Sequence, residues 1–228
     1  MNVLYEICRK LMIAETNIKF GATEFIATSE SVLYHHATGK LIISDCHFGK
    51  TTHFRRHALP IPESAIQKDL LRLESIANRL NPKEIIFLGD LFHSHENREW
   101  NILSEFLYTR IKCPLTLVLG NHDILNQKLY EKAGFVIKKQ DNIGDIDLLH
   151  DISDSTAESI YSISGHLHPG FRIKGSGRQQ ILLPCFYMGA NSLIMPAFGS
   201  LTGLAVMQKK QKSDRVFCFT SDRIFEVS

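Results

Sequence analysis

The stretch EIIFLGD, residues 84–90, is a run of apolar residues that stops at Gly-Asp, and it sets the pattern of the fold. A short continuous apolar run bounded by a turn signal is typical of a strand buried on both faces. Two other stretches have the same form: KLIISD at residues 40–45 and PLTLVLGNHD at residues 114–123. The sequence therefore predicts three buried strands, each followed directly by polar residues.

Amphipathic segments lie between these strands. In the first segment, six apolar residues recur at helical spacing until Asn81-Pro82 stops them: Ile66, Leu70, Leu73, Ile76, Ala77 and Leu80. Residues 102–111 repeat the same period. Strands that alternate with helices are parallel and joined by right-handed crossovers. Because ligands of open α/β sheets bind beyond the carboxyl ends of the strands, the polar residues there should converge on one place.

The chain on either side of this pattern predicts antiparallel pairing. SVLYHHAT at residues 31–38 precedes KLIISD across a Gly turn, which favours a hairpin. From Phe135 onward, short strands separated by Gly, Asp and Ser predict a mostly antiparallel second sheet, to which FVIKK at residues 135–139 is assigned. With 228 residues, 44% of them hydrophobic, we expect one domain over residues 1–228.

Composition excludes several function classes. A formal net charge of +2 is too small for nucleic-acid binding through the field of the whole molecule, so such binding would need a local basic patch. The five cysteines are scattered and lack CxxC spacing, which argues against a disulfide framework or a zinc ribbon. Charged residues interrupt the apolar ones in the N-terminal segment, so we expect a cytoplasmic protein without a membrane span.

Five polar clusters each follow an apolar strand: SDCHFGK, LGDLFHS, LGNHD, LLHD and SGHLHP. They supply Asp45, His47, Asp90, Asn121, His122, His150, His166 and His168. Carboxylate, imidazole and amide ligands suit Mn²⁺, Zn²⁺ or Fe, and the missing thiolates argue against a closed structural zinc site. So many ligands exceed the needs of one ion and favour two ions roughly 3.5–4 Å apart, with one bridging carboxylate and a shared hydroxide that attacks a phosphoryl group.

The D-x-H and H-x-H pairs leave one point open. Alternation along a strand would place both ligands of a pair on the same side, whereas a bend at the strand end would divide them between two ions. The same alternation predicts that Cys46 and Leu167, the middle residues of the two pairs, face the core. Gly165 is interpreted as the small residue that lets the chain turn close to the ions.

These clusters match a known signature. D-x-H, G-D, G-N-H-[DE], H and G-H-x-H, in this order, resemble the calcineurin-like metallophosphoesterase superfamily. The segments DCHFGKTTHFRRHALPIPE, FLGDLFHS, SGHLHPGFRIKGSGR, LPCFYMG and LIMPAFGSLTG further resemble the bacterial ligase-associated DNA-damage-response phosphoesterases, the PdeM family. The resemblance implies an α/β fold, a four-layer α/β/β/α sandwich of two mixed sheets flanked by helices.

The resemblance also implies a role for each residue. Asp45, His47 and His168 would hold one ion; Asn121, His150 and His166 would hold the other; and Asp90 would bridge them. The ions would be manganese, with zinc, iron or nickel as alternatives. His122 would be the catalytic histidine and Asp123 would orient its ring. Many superfamily members read G-D-x-x-D-R at the second motif, whereas this chain has His93 where the second aspartate stands.

Several residues near these motifs are candidate substrate contacts. Lys50, Arg55 and Arg56 could grip phosphates that flank the scissile one, or could form a solvated helix face. His93 could support the ligands or face the substrate. The basic segment GFRIKGSGR at residues 170–178, a predicted hairpin directly after the H-x-H motif, could also grip phosphates, but a solvated face is the favoured interpretation. Three aromatic residues could stack on a base or pack in the core: Phe171, Phe186 and Tyr187.

The favoured function is a phosphodiesterase or endonuclease associated with DNA repair, with a phosphodiester substrate such as DNA. An ATP-dependent DNA ligase or a helicase would be a functional partner. A small-molecule phosphatase or pyrophosphatase acting on a nucleotide or a lipid headgroup is the alternative enzyme. A binding scaffold without turnover is a third hypothesis, which the presence of His122 and of a complete ligand set disfavours.

Overall fold

The computed structural model describes residues 13–50, 64–155 and 160–227, which form two β-sheets. Two of the predicted phosphate contacts, Arg55 and Arg56, lie outside the described residues, as does Cys8. No helix among the described residues is long and apolar enough to cross a membrane.

The first sheet has seven strands that follow one another in chain order. They are β1 (Glu15–Phe20), β2 (Thr23–Thr28), β3 (Val32–His35), β4 (Lys40–Ser44), β5 (Glu84–Leu88), β6 (Leu115–Val118) and β7 (Phe135–Lys138). Strands β1 to β4 pair antiparallel, which confirms the predicted hairpin of β3 and β4. Strands β4, β5 and β6 pair parallel, as their alternation with helices predicted.

One assignment to the second sheet was wrong. FVIKK forms β7, which pairs parallel with β6 and so belongs to the first sheet. The crossover between β6 and β7 is made by the helix Gln127–Lys132. This helix is only six residues long, too short for its period to be recognised in the sequence.

Among the described residues, three α-helices cover one face of the first sheet: α1 (Ser64–Leu80), α2 (Arg98–Arg110) and α3 (Gln127–Lys132). The Asn97 side chain begins α2 by accepting hydrogen bonds from the backbone N–H groups of Glu99 and Trp100. Alternate residues of β4 show how the two faces differ. Leu41 and Ile43 pack in the cluster that contains the helices, whereas Ile42 packs in the cluster shared with the second sheet.

The second sheet has nine strands. They are β8 (Asp141–Ile143), β9 (Ile146–Leu149), β10 (Tyr161–Ser164), β11 (Pro169–Lys174), β12 (Gln180–Met188), β13 (Ser192–Ile194), β14 (Ala205–Met207), β15 (Arg215–Phe219) and β16 (Ile224–Val227). Its order is β14-β11-β12-β13-β10-β9-β8, and β15 pairs with β12 and β16. Three pairings are parallel and the other five antiparallel, so both sheets are mixed.

The two sheets pack face to face through an apolar layer. Leu88 and Val118 of the first sheet lie in one cluster with Leu148, Ile163 and other residues of the second sheet. The helical layer is confined to the first sheet in the described chain, because from β8 onward the only helical segment described is the 3₁₀ turn Ile152–Asp154. The carboxyl ends of parallel strands from both sheets meet at one edge, and this edge carries the polar clusters.

Candidate metal centre

The backbone at the strand ends has an unusual conformation. In the described part of the chain, seven non-glycine residues have positive φ, and five of these are predicted metal ligands: Asp45, His47, Asp90, His166 and His168, with φ between 46° and 66°. Left-handed backbone is disfavoured for residues with a Cβ and persists only where the surroundings hold it. A bend, and not strand alternation, therefore separates the two ligands of each pair.

Hydrogen bonds between neighbouring loops hold these bends. The backbone N–H of His47 donates to the carbonyl of Asp90 at 2.8 Å, and the N–H of Phe48 donates to Leu91 at 2.9 Å. The N–H of His166 donates to the Asp45 carboxylate, at 2.9 Å to Oδ2. The loops after β4, β5 and β10 thus fix one another's position.

Two glycines are required by close approach at this edge. A Cβ on Gly165 would lie 2.4 Å from Asp45 Oδ2, and one on Gly89 would lie 2.2 Å from Nδ1 of His150. Gly89 also has a φ of +71°, which a side chain would strain. Glycine at both positions lets the two sheets bring their ligands within contact distance.

Asp45, His47 and His168 form the first group of side chains, which we call group A; their ligand atoms lie within 4.8 Å of one another. Nε2 of His47 lies 3.2 Å from Nε2 of His168, and His168 Nε2 lies 3.3 Å from Asp45 Oδ1. Asp45 and His47 are buried, and His168 is half-buried. Group A joins the loop after β4 in the first sheet to the loop after β10 in the second.

Asp90, His150 and His166 form the second group, group B, again with ligand atoms within 4.8 Å of one another. Nδ1 of His166 lies 3.2 Å from Nε2 of His150, and Asn121 Oδ1 lies 2.9 Å from the same nitrogen. The amide oxygen of Asn121 therefore lies at the edge of group B. Asp90 and His150 are buried, and His166 is half-buried.

The Asp90 carboxylate belongs to group B but also faces group A. Its Oδ2 is 3.6 Å from Nε2 of His47 in group A, and its Oδ1 is 3.4 Å from Nε2 of His150 in group B. Oδ1 also accepts a hydrogen bond from the backbone N–H of His122 at 2.9 Å. One carboxylate therefore faces both candidate ion positions and the GNHD loop.

The donor chemistry fits divalent cations. Nδ1 of His150 lies 3.0 Å from the carbonyl oxygen of Leu88, to which it can only donate, so the lone pair of the neutral ring is on Nε2. That lone pair faces two oxygens, Asn121 Oδ1 and Asp90 Oδ1. Because no proton lies between these hydrogen-bond acceptors, they repel one another, and a bound cation would stabilise them. Burial, followed by the nearby charge of Lys50, lowers the pKa of His47 to about 2, which keeps the imidazole in its neutral, metal-binding form.

Three imidazole rings stand side by side next to group A. Nδ1 of His93 lies 3.2 Å from Nδ1 of His47, so a single hydrogen bond links the two rings. The His93 ring stacks on that of His122, with centroids 3.9 Å apart and an interplanar angle of 35°. The His122 ring is 5.9 Å from that of His47. His93 therefore contacts both a candidate metal ligand and the candidate catalytic histidine.

The Asp123 carboxylate binds backbone N–H groups and not the His122 ring, which it was expected to orient. It accepts hydrogen bonds from the backbone N–H groups of Leu91 and Gly120, both at 2.9 Å, and from the Tyr130 hydroxyl at 3.3 Å. Among the described residues, no contact joins this carboxylate to the His122 ring. Burial raises the pKa of Asp123 to about 6, although its backbone hydrogen bonds lower it. Asp123 thus ties the GNHD loop to the loop after β5.

Lys50 lies at the rim of the centre and is partly buried. Burial lowers the pKa of Lys50, and the negative charge of Asp90 opposes this effect by raising it. This cation is close enough to influence both group A and the bridging carboxylate. It is the one predicted phosphate contact among Lys50, Arg55 and Arg56 that falls within the described residues.

The structure corrects some side-chain predictions and confirms another. Cys46 packs in the core, as predicted, but Leu167 is 38% exposed, because His166 and His168 both adopt left-handed backbone and turn it outward. Phe186 and Tyr187 are buried in apolar clusters and cannot stack on a base.

Asp151 is a residue of the centre that the sequence reasoning missed. Its Oδ2 lies 3.4 Å from Nε2 of His166, whose Nδ1 faces group B. A carboxylate on the second nitrogen of a ligating imidazole fixes its tautomer and orientation. The only signal in the sequence was its position directly after His150, in the cluster LLHD.

The family model for calcineurin-like phosphoesterases matches residues 41–183, which is more than half of the chain, and the chain belongs to this family. No curated protein sequence matches it significantly. The matched residues contain both sheets' contributions to groups A and B. The fold of this family implies divalent metal ions, and the two Asp/His groups can hold them.

The solved structures that are similar to this one include the following two. The crystal structure of the nuclease MPE of Pseudomonas putida has a TM-score of 0.78 and 19% sequence identity, and the alignment covers 93% of this chain and 100% of that chain. Yfce, a phosphoesterase from E. coli, has a TM-score of 0.40 and 13% identity over 82% of this chain and 97% of that chain. The first likeness shows that the fold extends over nearly the whole molecule. Family and site together support a metal-dependent phosphoester hydrolase.

Proposed function

We propose that this protein is a two-metal phosphodiesterase that cleaves nucleic acid, as a phosphodiesterase or endonuclease associated with DNA repair. The observation that carries the proposal is the Asp90 carboxylate, whose two oxygens face groups A and B separately. A bridging carboxylate between two histidine-rich groups is the arrangement of a two-metal hydrolytic site. The similarity in fold to the nuclease MPE also supports it.

Two bound ions would supply a water activated as the nucleophile and would neutralise charge on the phosphoryl oxygens. The seven ligand residues fix where the phosphate can lie, because their loops are tied to one another by hydrogen bonds. Manganese is the ion we expect, with zinc, iron and nickel as alternatives.

His122 has the position of a general acid. Its backbone N–H is anchored on Asp90, and its ring lies beside the His47 and His93 rings at the edge of group A. As imidazolium it would donate a proton to the leaving oxygen or stabilise the developing phosphoryl charge. His93 would hold the His122 ring by stacking and would fix the His47 tautomer. Asp123 acts on His122 only through the loop that it ties down.

The test compares two substrates for the manganese-loaded protein. We expect hydrolysis of bis-p-nitrophenyl phosphate, a diester, to exceed that of p-nitrophenyl phosphate, a monoester. A phosphatase of small molecules must engage a terminal dianionic phosphate, so a strong preference for the monoester would contradict the proposal. Turnover of neither ester would favour the binding scaffold. If the diester is preferred, nicking of supercoiled plasmid would distinguish an endonuclease from an enzyme that acts on the ends of a strand.

The cellular setting is a separate part of the proposal. We expect the protein to act in the cytoplasm on DNA and to share its pathway with an ATP-dependent DNA ligase or a helicase. Loss of the gene should sensitise cells to DNA-damaging agents, and a copy with Asp90→Ala should fail to restore resistance. Restoration by that copy would rule out a role that depends on hydrolysis.

A further inference from the structure

A long segment that ends near the C-terminus is basic although the whole chain is almost neutral. Between Glu158 and Asp214 the sequence has no Asp or Glu. The same segment has six Lys or Arg residues: Arg172, Lys174, Arg178, Lys209, Lys210 and Lys212. The formal net charge of the chain is only +2, so the positive charge of this segment is a local feature.

Strands β11 and β12 carry part of this segment, near the β14 end of the second sheet. The second half of β12 pairs with β13 and β15, whereas residues 180–184 pair with β11. Strand β12 is antiparallel to both β11 and β13, and β13 is parallel to β10. Strand β11 therefore runs in the same direction as β10, and it begins beyond the end of β10. We call residues 169–184 the basic arm.

The basic arm begins at the metal centre. Its first residue, Pro169, follows the candidate ligand His168 directly. At about 3.3 Å per residue, the six residues of β11 extend roughly 20 Å away from that ligand. Its strands are thus long enough to contact a substrate several nucleotides from the centre.

Register shows which face of the basic arm carries the cations. Phe186 and Met188 of β12 pack into the layer between the two sheets. Alternation places Leu182 on the same face, and the β11–β12 register places Arg172 opposite it. By the same argument, Lys174 lies on this face. The face that packs on the first sheet therefore continues into the basic arm, where it is open and positively charged.

The contacts of the cations support an exposed anion-binding surface. Both Arg172 and Lys174 are exposed. Arg172 Nη1 donates to Gln180 Oε1 at 3.1 Å, which holds the guanidinium across the arm without neutralising it. An open cleft of about 580 Å³ beside them is also lined by Lys209, and none of the described residues that line it is Asp or Glu. Exposed cations without a neighbouring carboxylate are typical of a surface that contacts the phosphates of nucleic acid.

We propose that the basic arm binds the phosphates that flank the scissile one in a nucleic-acid strand, with Arg172 and Lys174 as its two principal contacts. The two residues are two positions apart on one strand, about 6.6 Å along it. The inference rests on the proposed function and makes it more specific: the substrate is a polymer that extends along the arm, and a small diester occupies only the metal centre.

The test compares a polymer with a small diester. We would measure kcat/KM of the manganese-loaded protein for a fluorescent single-stranded oligonucleotide and for bis-p-nitrophenyl phosphate. The variant R172A/K174A should lower the ratio of the two values about tenfold, because each phosphate contact adds to binding of the polymer alone. The matched control K83A/K112A removes the same charge at the opposite edge of the first sheet, before β5 and β6, and should leave the ratio unchanged.

Binding without turnover tests the basic arm independently. By fluorescence anisotropy, the metal-free protein should bind the oligonucleotide with an affinity that falls with salt. R172A/K174A should reduce the slope of log K against log[salt] by about 1.4, at 0.7 for each lost contact to a single strand. The control should keep the wild-type slope.

The outcomes separate the two proposals. If the small diester is hydrolysed but R172A/K174A changes neither the ratio nor the salt slope, the basic arm has no such role and the phosphodiesterase stands. If neither substrate is hydrolysed, the proposed function fails, and a reduced salt slope alone would still support the arm. Equal competition by a poly-glutamate peptide of the same length would contradict recognition of a nucleic-acid strand and point to an acidic protein partner.

Discussion

Groups A and B have similar ligands but different surroundings. In group A, His47 faces the His93 ring through its second nitrogen, and the Lys50 cation is close by. In group B, the outward nitrogens of the histidines face oxygen acceptors: His150 faces the carbonyl of Leu88, and His166 faces the carboxylate of Asp151. Group A is thus bordered by rings and a cation, and group B by acceptors.

This difference predicts unequal affinity for metal. An acceptor on the second nitrogen of an imidazole raises its basicity and fixes its orientation, whereas a cation near the ligands opposes binding of another. We therefore expect group B to bind its ion more tightly and group A to lose its ion first on dialysis against a chelator. Asp90 couples the groups because it contributes one oxygen to each.

The largest effect should follow from removing the charge that the groups share. Asp90→Asn keeps the shape of the side chain and an acceptor for the N–H of His122. We expect metal content to fall from two ions to one or none per chain, and kcat/KM for the small diester to fall on the order of 10³, since ion stabilisation of the transition state is worth several kcal/mol.

Asp214→Asn is the matched control for that variant. Asp214 is also a buried aspartate, but it is bonded to Tyr187 and to the backbone N–H of Lys210, outside the centre. The Asp214→Asn variant should retain both ions and full turnover. Two ions in Asp90→Asn would mean that the bridge is not needed to hold either of them.

The second largest effect should leave both groups intact. His122→Ala removes the proposed general acid but keeps its backbone bond to Asp90. We expect kcat to fall about 10²-fold, the lower end of the range for general acid catalysis, while metal analysis still finds two ions. The loss should be smaller for a diester whose leaving group needs no proton, such as p-nitrophenolate. An equal loss for good and poor leaving groups would assign His122 a different role.

A smaller and selective effect should follow from changing the border of each group. Asp151→Asn should weaken metal binding in group B, and His93→Ala should weaken it in group A, each about tenfold, the lower end of the range for partners of ligating histidines. Isothermal titration calorimetry would resolve the tight and the weak binding event. If either variant weakens both events equally, the two groups are not separate sites.

The smallest effect should come from the cation next to group A. Lys50→Met should raise the affinity of the weaker ion about threefold, less than 1 kcal/mol, because a partly exposed charge is screened. If Lys50 also contacts the substrate phosphate, KM rises in the same variant. Lys112→Met is the control for the loss of a positive charge. If it raises the affinity of the weaker ion equally, the position of Lys50 beside group A does not explain the effect.

The sequence predicted the parts of the fold that have a clear local signal. The apolar runs that became β4, β5 and β6 are short, continuous and bounded by turn residues, and the 17-residue α1 repeats apolar residues at helical spacing. FVIKK was placed in the wrong sheet because four residues of alternating character fit an edge strand of either sheet. The first hairpin, β1 and β2, was missed for a similar reason: its strands are short and mix charged with apolar residues.

For the site, the sequence indicated which residues converge but not how each side chain is used. Polar residues at the ends of buried strands meet because the topology brings the strand ends together, and six of the predicted ligands lie in the two Asp/His groups. Their division between two ions stays a prediction. The contacts of Asp123 depend on how its loop meets the loop after β5, which no local pattern encodes. The orientation of Leu167 depends on left-handed backbone at His166 and His168. No periodicity encodes such a bend, so alternation gave the wrong answer there.

The most direct test of the two-metal site is an anomalous-scattering map of crystals of the manganese-loaded protein. We predict two peaks about 3.5–4 Å apart, with the Asp90 carboxylate between them. One peak should contact Asp45, His47 and His168, and the other Asn121, His150 and His166. A single peak, or a pair in which His166 and His168 bind the same ion, would contradict this account.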